Sequence, residues 1–174
     1  MTARHYDVVV VGGGINGVGV AQAAAAAGYT VLVLEKHSLA AGTSSKSSKL
    51  IHGGLRYLES YEFGLVRESL AERELLLKLA PELVQMQEFC VPLYRETRRS
   101  PLLLRTGLSL YYLLSGLHAD SRFATLPRAQ WDQLDGLRTE ELRAVFTYND
   151  ARTSDALLTE AVMRSAQSLG AVSY

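Results

Sequence analysis

One cysteine, four prolines and no surplus of either charge set the first limits on this chain of 174 residues. With Cys90 alone, an internal disulfide is excluded, which fits a reducing compartment. Cys90 lies in the apolar run Phe89-Cys90-Val91 and is expected to be a small core residue rather than a nucleophile. Lys and Arg number 18, Asp and Glu 18, and no basic block is longer than Arg98-Arg99, so nothing marks a nucleic-acid surface. No run of about 18 apolar residues exists, which argues against a spanning helix. The nearest stretch, 102–117, is broken by Arg105 and by polar and glycine positions. The N-terminal apolar run stops at Val11 against three glycines, with no cleavage-like site after it, so no signal peptide is expected. These absences point to a cytoplasmic protein, attached at most to a membrane surface. What is present, 48% hydrophobic and 21% charged residues, is globular composition at a length suited to one ordinary domain.

Residues 6–11, Tyr-Asp-Val-Val-Val-Val, form a continuous β-branched run of the kind buried in a parallel sheet. The alanine-rich stretch Ile15 to Ala27 predicts a helix closed by Gly28, and residues 30–34 a second buried strand. A right-handed crossover then makes the two strands parallel. Residues 40–57 read as a short helix start and an ordered loop. Leu65, Val66, Leu70, Leu75, Leu76 and Leu79 recur at helical spacing between Ser60 and Pro81, with Glu and Arg on the other face. A strand over 88–94, an amphipathic helix over 102–117 and a strand over 142–148 follow. Ser154 or Asp155 is placed to cap a helix over 156–169, ended by Gly170. Residues 171–174 read as half a strand, so the chain is expected to be the front part of a longer protein.

Gly12-Gly13-Gly14-Ile15-Asn16-Gly17 fits G-x-G-x-x-G with its glycines at 12, 14 and 17. Gly12 permits the tight turn, Gly14 lets backbone approach a pyrophosphate, and Gly17 lets the helix pack closely on the strand. The helix beginning near Ile15 offers unpaired N–H groups and a positive dipole end to phosphates. Glu35, at the end of the second strand and 18 residues after Gly17, is placed to accept hydrogen bonds from an adenosine ribose. Its charge opposes a 2′-phosphate, which disfavours NADP. This unit alone specifies a dinucleotide with a free ribose diol.

The segment 42–58, Gly-Thr-Ser-Ser-Lys-Ser-Ser-Lys-Leu-Ile-His-Gly-Gly-Leu-Arg-Tyr-Leu, is the second candidate. Thr43, Ser44 and Ser45 carry hydroxyls that could cap a second helix and donate to a phosphate. Gly53-Gly54 would let backbone lie against a flat ring, and Arg56 could present a planar fork to an anion. On composition alone, a serine-rich surface loop with solvated Lys46 and Lys49 is the stronger reading. His52 could simply orient the loop, and Tyr57 could be a packed aromatic with a satisfied hydroxyl.

The strings GGGINGVGVA and GTSSKSSKLIHGGLRYLE closely resemble FAD-dependent glycerol-3-phosphate dehydrogenases, as do YEFGLVRESLAERELLLKLAPEL and YNDARTSDALL downstream. The resemblance covers essentially the whole chain and is strongest over 5–83. It implies the N-terminal part of an aerobic, quinone-linked enzyme with an α/β, Rossmann-type FAD-binding fold of the amino-acid-oxidase-like group, incomplete here, with the start of a substrate domain. The implied division is 1–85 for the FAD-binding βαβ unit and flavin-contacting loop, 86–149 for the start of a substrate or cap region, and 150–174 for a return to the FAD-binding domain.

By position, Gly12, Gly14, Ile15, Asn16, Gly17, Glu35 and Lys36 would hold the ADP half of FAD, and Thr43, Ser44 and Ser45 the pyrophosphate. Ser47, Ser48, Lys49, Leu50, His52, Gly53 and Gly54 would lie along the ribityl chain and flavin ring. Arg56, Tyr57 and His52 would face the substrate. The resemblance implies oxidation of sn-glycerol 3-phosphate to dihydroxyacetone phosphate, with electrons passing through flavin to a membrane quinone, and it is compatible with peripheral membrane contact and a homodimer. Two alternatives are a catalytically silent FAD-binding fragment and a related flavin oxidase of amino acids. Relatives are much longer, and where they commonly read Asp-Ala-Arg-Leu this chain has Asp155-Ala156-Leu157-Leu158.

Overall fold

The computed structural model describes residues 4–174. They fall into two compact units, Met1–Lys49 with Thr153–Tyr174, and Leu50–Arg152.

In the first unit, β1 (Val8–Val11), α1 (Ile15–Ala26) and β2 (Val31–Leu34) form the predicted βαβ element. The strands are parallel, with Val8 opposite Val31 and Val10 opposite Val33. The last elements, α4 (Asp155–Ser168) and β7 (Val172–Ser173), return to the same sheet, where β7 pairs parallel with β2. The order is therefore β1-β2-β7. Val10, Val31 and Val33 point into a core completed by Val18, Ala21 and Ala25 of α1 and by Met163 and Ala166 of α4. Small side chains on α1 let it approach both the sheet and α4. The helices cover one face of β1 only: Val9 is 53% and Val11 84% exposed. The continuous β-branched run thus alternates buried and exposed in this chain, a correction to the expected burial.

In the second unit, β3 (Leu50–Ile51) and β5 (Phe123–Thr125) pair antiparallel with β6 (Leu142–Thr153), and β4 (Val84–Tyr94) lies beside β6 in the same sheet. Strand β6 runs five residues past its expected end, and β5 has no counterpart in the sequence reading. Two helices complete the unit. In α3 (Pro101–Leu114), Ser100 Oγ accepts the Leu103 N–H at 3.2 Å and Pro101 occupies the first turn, where its missing N–H costs nothing. Leu104, Leu108 and Tyr111 make its buried stripe.

The helix α2 (Phe63–Leu79) corrects the sequence reading. Its buried stripe is Val66, Leu70 and Arg73, whereas Leu75 is 46% and Leu79 71% exposed. Arg73, assigned by charge to the outer face, is wholly buried because Asp150 and Ser121 supply acceptors inside. Cys90 is a second correction. It is exposed on β4, where the strand's alternation turns Phe89 and Val91 inward instead. Burial still pushes its thiol above the ordinary value, with the charge of Glu88 adding to the shift. No helix among the described residues is long and apolar enough to cross a membrane.

Candidate cofactor site

The glycine-rich turn lies at the C-terminal end of β1. Gly12 has φ +109°, a region closed to most side chains, and its N–H donates to the Leu34 carbonyl at 2.8 Å. Gly14 caps α1 without a side chain to offer. The missing acceptor comes from elsewhere, because Ser44 Oγ takes the Ile15 N–H at 2.9 Å. At Gly17 a Cβ would sit 2.0 Å from the Gly12 carbonyl oxygen, so only glycine allows this separation of helix and turn. Among the described residues the backbone N–H groups of Gly14, Asn16 and Gly17 meet no acceptor, and the positive end of α1 points the same way. An anion fits that vacancy of acceptors, and the Ser44 hydroxyl keeps its own hydrogen to donate.

Glu35 reaches back to the turn. Its Oε2 accepts the Gly13 N–H at 2.7 Å and its Oε1 the His37 N–H at 2.9 Å. The hydrogen bond from Gly13, followed by that from His37, holds this carboxyl below the ordinary glutamate range. Gly13 stands at an unconstrained position of the motif, yet a Cβ there would lie 2.7 Å from Leu39 Cδ2 and 3.2 Å from Glu35 Cβ. The run of three glycines was the available signal. Lys36 is exposed, and its backbone N–H adds a smaller lowering influence on Glu35.

Thr43–Ser45 forms a single 3-10 turn rather than the start of a second helix. Its middle hydroxyl caps α1, and Ser45 Oγ donates to the Gly42 carbonyl at 3.3 Å. The next residues are held by Asp155. Asp155 Oδ2 accepts the Ser47 N–H at 3.0 Å, Asp155 Oδ1 accepts Lys49 Nζ at 2.5 Å, and Lys49 Nζ also donates to the Ser45 carbonyl at 2.6 Å. Ser47 Oγ accepts the Lys49 N–H at 3.1 Å, while Ser48 is exposed. Lys49 itself has φ +63°, and this clamp stabilises the left-handed conformation. Lys49 is therefore bonded rather than freely solvated. Sequence reading saw in Asp155 only a cap for its own helix; its reach to residues 47–49 depends on tertiary structure.

In the second unit, Leu50 pairs with Arg152 and leads into His52-Gly53-Gly54. His52 and Arg56 are exposed, and Tyr57 is 43% exposed. Gly54 has φ +70°, and a Cβ there would fall 2.2 Å from the Tyr57 ring, which folds back over it. A Cβ on Gly53 would fall 2.5 Å from Leu70 Cγ and 2.8 Å from the Tyr111 hydroxyl. Packing within the protein is thus enough to require both glycines.

Beneath this turn lies a polar chain that the sequence did not disclose. The Gly53 N–H donates to Tyr111 Oη at 2.7 Å, and that hydroxyl donates to Asp150 Oδ2 at 2.8 Å. Asp150 Oδ1 accepts from Arg73 at 2.8 Å, and Arg73 also donates to Ser121 Oγ at 2.6 Å and Glu74 at 2.9 Å. Burial pushes Asp150 above the ordinary carboxylate value, with the hydrogen bonds from Arg73 and Tyr111 pulling it back. Burial, then the charge of Asp150, raises the Tyr111 hydroxyl far above its ordinary range, so it stays protonated. Arg73 loses hydration on burial, and its bonds to Asp150 and Glu74 more than offset that loss.

Residues 7–174 match the family described as FAD dependent oxidoreductase. The chain belongs to that family. It is 48% identical over 171 residues to a glycerol-3-phosphate dehydrogenase of Pseudomonas aeruginosa, covering 97% of this chain and 32% of that protein. The chain thus spans about a third of the length of that curated relative. The structure resembles that of the glycerol-3-phosphate dehydrogenase from Bacillus halodurans complexed with FAD, with a TM-score of 0.69 and 26% identity, over 100% of this chain and 27% of the other. It also shares its fold with glycine oxidase from Geobacillus kaustophilus, at TM-score 0.71 and 23% identity, over 99% of this chain and 47% of the other. The Rossmann-type, amino-acid-oxidase-like α/β fold expected from sequence is borne out, as is the likeness to glycerol-3-phosphate dehydrogenases. FAD is the family's cofactor.

Proposed function

We propose that the full-length protein oxidises sn-glycerol 3-phosphate to dihydroxyacetone phosphate and passes the electrons to a quinone. The observation that carries this reading is 48% identity to a glycerol-3-phosphate dehydrogenase across 97% of the chain. The turn at Gly12–Gly17, where the N–H groups of Gly14, Asn16 and Gly17 find no acceptor among the described residues, supports the assignment of the FAD pyrophosphate there. Gly12, Gly14, Ile15, Asn16, Gly17, Glu35 and Lys36 are assigned to the ADP half, and Thr43, Ser44 and Ser45 to the pyrophosphate. Ser47, Ser48, Lys49, Leu50, His52, Gly53 and Gly54 are assigned to the ribityl chain and flavin.

Bound FAD supplies a two-electron acceptor for the hydrogen on C2 of the substrate. The chain's own work is to bind and orient. Arg56, exposed on a short turn, is assigned to the substrate's phosphate, where a guanidinium fork suits a dianion. Tyr57 and His52 are assigned to the same face. Residues 1–85 and 150–174 are read as contributing to FAD binding and 86–149 as the start of the substrate region. Reoxidation by quinone would bring the protein to the inner face of the cytoplasmic membrane as a peripheral protein.

The test uses anaerobic full-length protein with its flavin bound. Glycerol 3-phosphate should bleach the yellow absorption, and glycine and D-alanine should not. Bleaching by an amino acid with no response to glycerol 3-phosphate would overturn the substrate assignment.

A further inference from the structure

The polar chain beneath the His52-Gly53-Gly54 turn belongs to none of the roles assigned so far. An aliphatic side chain at 111 with a hydrophobic pair at 73 and 150 would fill the same volume without the cost of desolvating two charges. The end of the chain is specific, because Tyr111 accepts the backbone N–H of Gly53 at 2.7 Å and is itself 1% exposed. Tyr111 donates onward to Asp150, so its oxygen lone pair is turned toward Gly53. Asp150 is held in turn by Arg73, whose other bonds run to Ser121 and Glu74. Each member therefore fixes the next, from α2 through β6 and α3 to the turn.

Gly53 cannot retreat inward, since Leu70 and Tyr111 already occupy the space its Cβ would need. Nor does the turn carry side chains of its own to grip the protein: His52 is exposed and Gly54 has none. Among the described residues, the Gly53 N–H makes the one backbone hydrogen bond between Ile51 and Leu55 that reaches a buried side chain.

We propose that Tyr111, Asp150 and Arg73 form a positioning relay that sets the height and orientation of the His52-Gly53-Gly54 backbone, and through it the flavin environment. The relay rests on the reading above that this turn contacts flavin. Tyr111 is a positioning residue: it holds the backbone and need not touch cofactor or substrate.

The test is hydrogen exchange at the Gly53 amide in full-length protein, with and without FAD, together with the absorption spectrum and FAD dissociation constant. In the wild type, FAD should slow exchange at residues 52–54; no effect of FAD there would sink the flavin-contact reading while leaving the anchor untouched. Tyr111→Phe keeps the ring and removes the acceptor. Gly53 exchange should quicken roughly tenfold, as expected for one buried hydrogen bond lost, while amides in the middle of α2 stay protected. The flavin absorption bands should shift and FAD should bind several-fold more weakly. Unchanged Gly53 exchange would overturn the anchor. Faster exchange with an unaltered spectrum and FAD affinity would overturn the relay's link to the cofactor. Ser121→Ala, which removes only a side branch of the relay, should show a smaller change in the same direction; an effect larger than that of Tyr111→Phe would contradict the proposed order.

Discussion

Adding one methyl group at Gly17 separates two effects that normally compete. Alanine is favoured over glycine in a helix interior by about 1 kcal/mol, so propensity alone predicts that Gly17→Ala stabilises. The structure predicts the reverse. The new Cβ would stand 2.0 Å from the Gly12 carbonyl oxygen and 3.1 Å from its carbon. Opening that contact to an ordinary 3.4 Å needs a shift of about 1.4 Å. The obstacle is backbone, not a flexible side-chain tip. The helix cannot yield cheaply either, because Val18, Ala21 and Ala25 are locked against the sheet and α4. Overpacking of this kind costs about 1–3 kcal/mol, and a backbone neighbour puts the case at or above the upper end.

The net expectation for Gly17→Ala is a loss of about 2 kcal/mol and a lowered Tm. Gly19→Ala is the internal control. It lies two residues along the same helix and its Cβ would meet nothing within 4 Å. There the propensity gain of about 0.5–1 kcal/mol should appear undiminished. Thermal unfolding of the full-length variants, followed by FAD retention on gel filtration, measures both. The reasoning is refuted if Gly17→Ala unfolds at or above the wild-type temperature, or if the two substitutions move Tm in the same direction.

Other sites give sharper chemistry. The hydrogen bond from Lys49, ahead of those from Ser47, holds Asp155 far below the ordinary carboxylate range. A depressed folded value means that this stability is complete above the unfolded value of about 3.9 and is lost only as pH falls toward the folded one. Asp155→Asn should therefore flatten the acid limb of the stability curve below about pH 4, and an unchanged limb would count against the clamp. Asp150→Ala would leave Arg73 buried with only Glu74 and Ser121, and should cost about 3–5 kcal/mol in urea unfolding; a cost under about 1 kcal/mol would show that the pair is solvated. Arg56→Ala should spare FAD and raise KM for glycerol 3-phosphate by roughly 10- to 100-fold, the size of one lost charge-assisted bond, and unaltered kinetics would remove it from the site.

The parts of the fold that were legible are those with local causes. The β-branched run before Gly12, the alanine-rich α1 and the turn between them announce themselves within about thirty residues. So do the lengths of α2 and α4, to within two or three positions. What failed was the inference from residue type to facing. Arg73 occupies the inward stripe with Val66 and Leu70, and the acceptors that make this tolerable come from residues 121 and 150. No window around Arg73 contains either one. The same holds for Ser44, whose hydroxyl caps a helix that begins 29 residues earlier. Cys90 misled for a different reason: an apolar run does not reveal which of its members a strand turns outward. The glycine-rich turn was readable because glycine spacing is itself the steric requirement, whereas the clamp at Asp155 and the chain under Gly53 are built by long-range contact.

The division of the first unit into two segments has a consequence in time. Helix α1 buries its small side chains against α4, yet about 120 residues separate the end of β2 from the start of α4. During synthesis at about 5–20 residues per second, β1, α1 and β2 must wait roughly 6–24 s for their partner. Throughout that interval Val10, Val31, Val33 and the alanine face of α1 lack part of their cover. Strands β1 and β2 and helix α1 thus emerge well before the helix that completes their core, which leaves them exposed to chaperones and to mispairing while the intervening 103 residues, 50 through 152, fold on their own contacts.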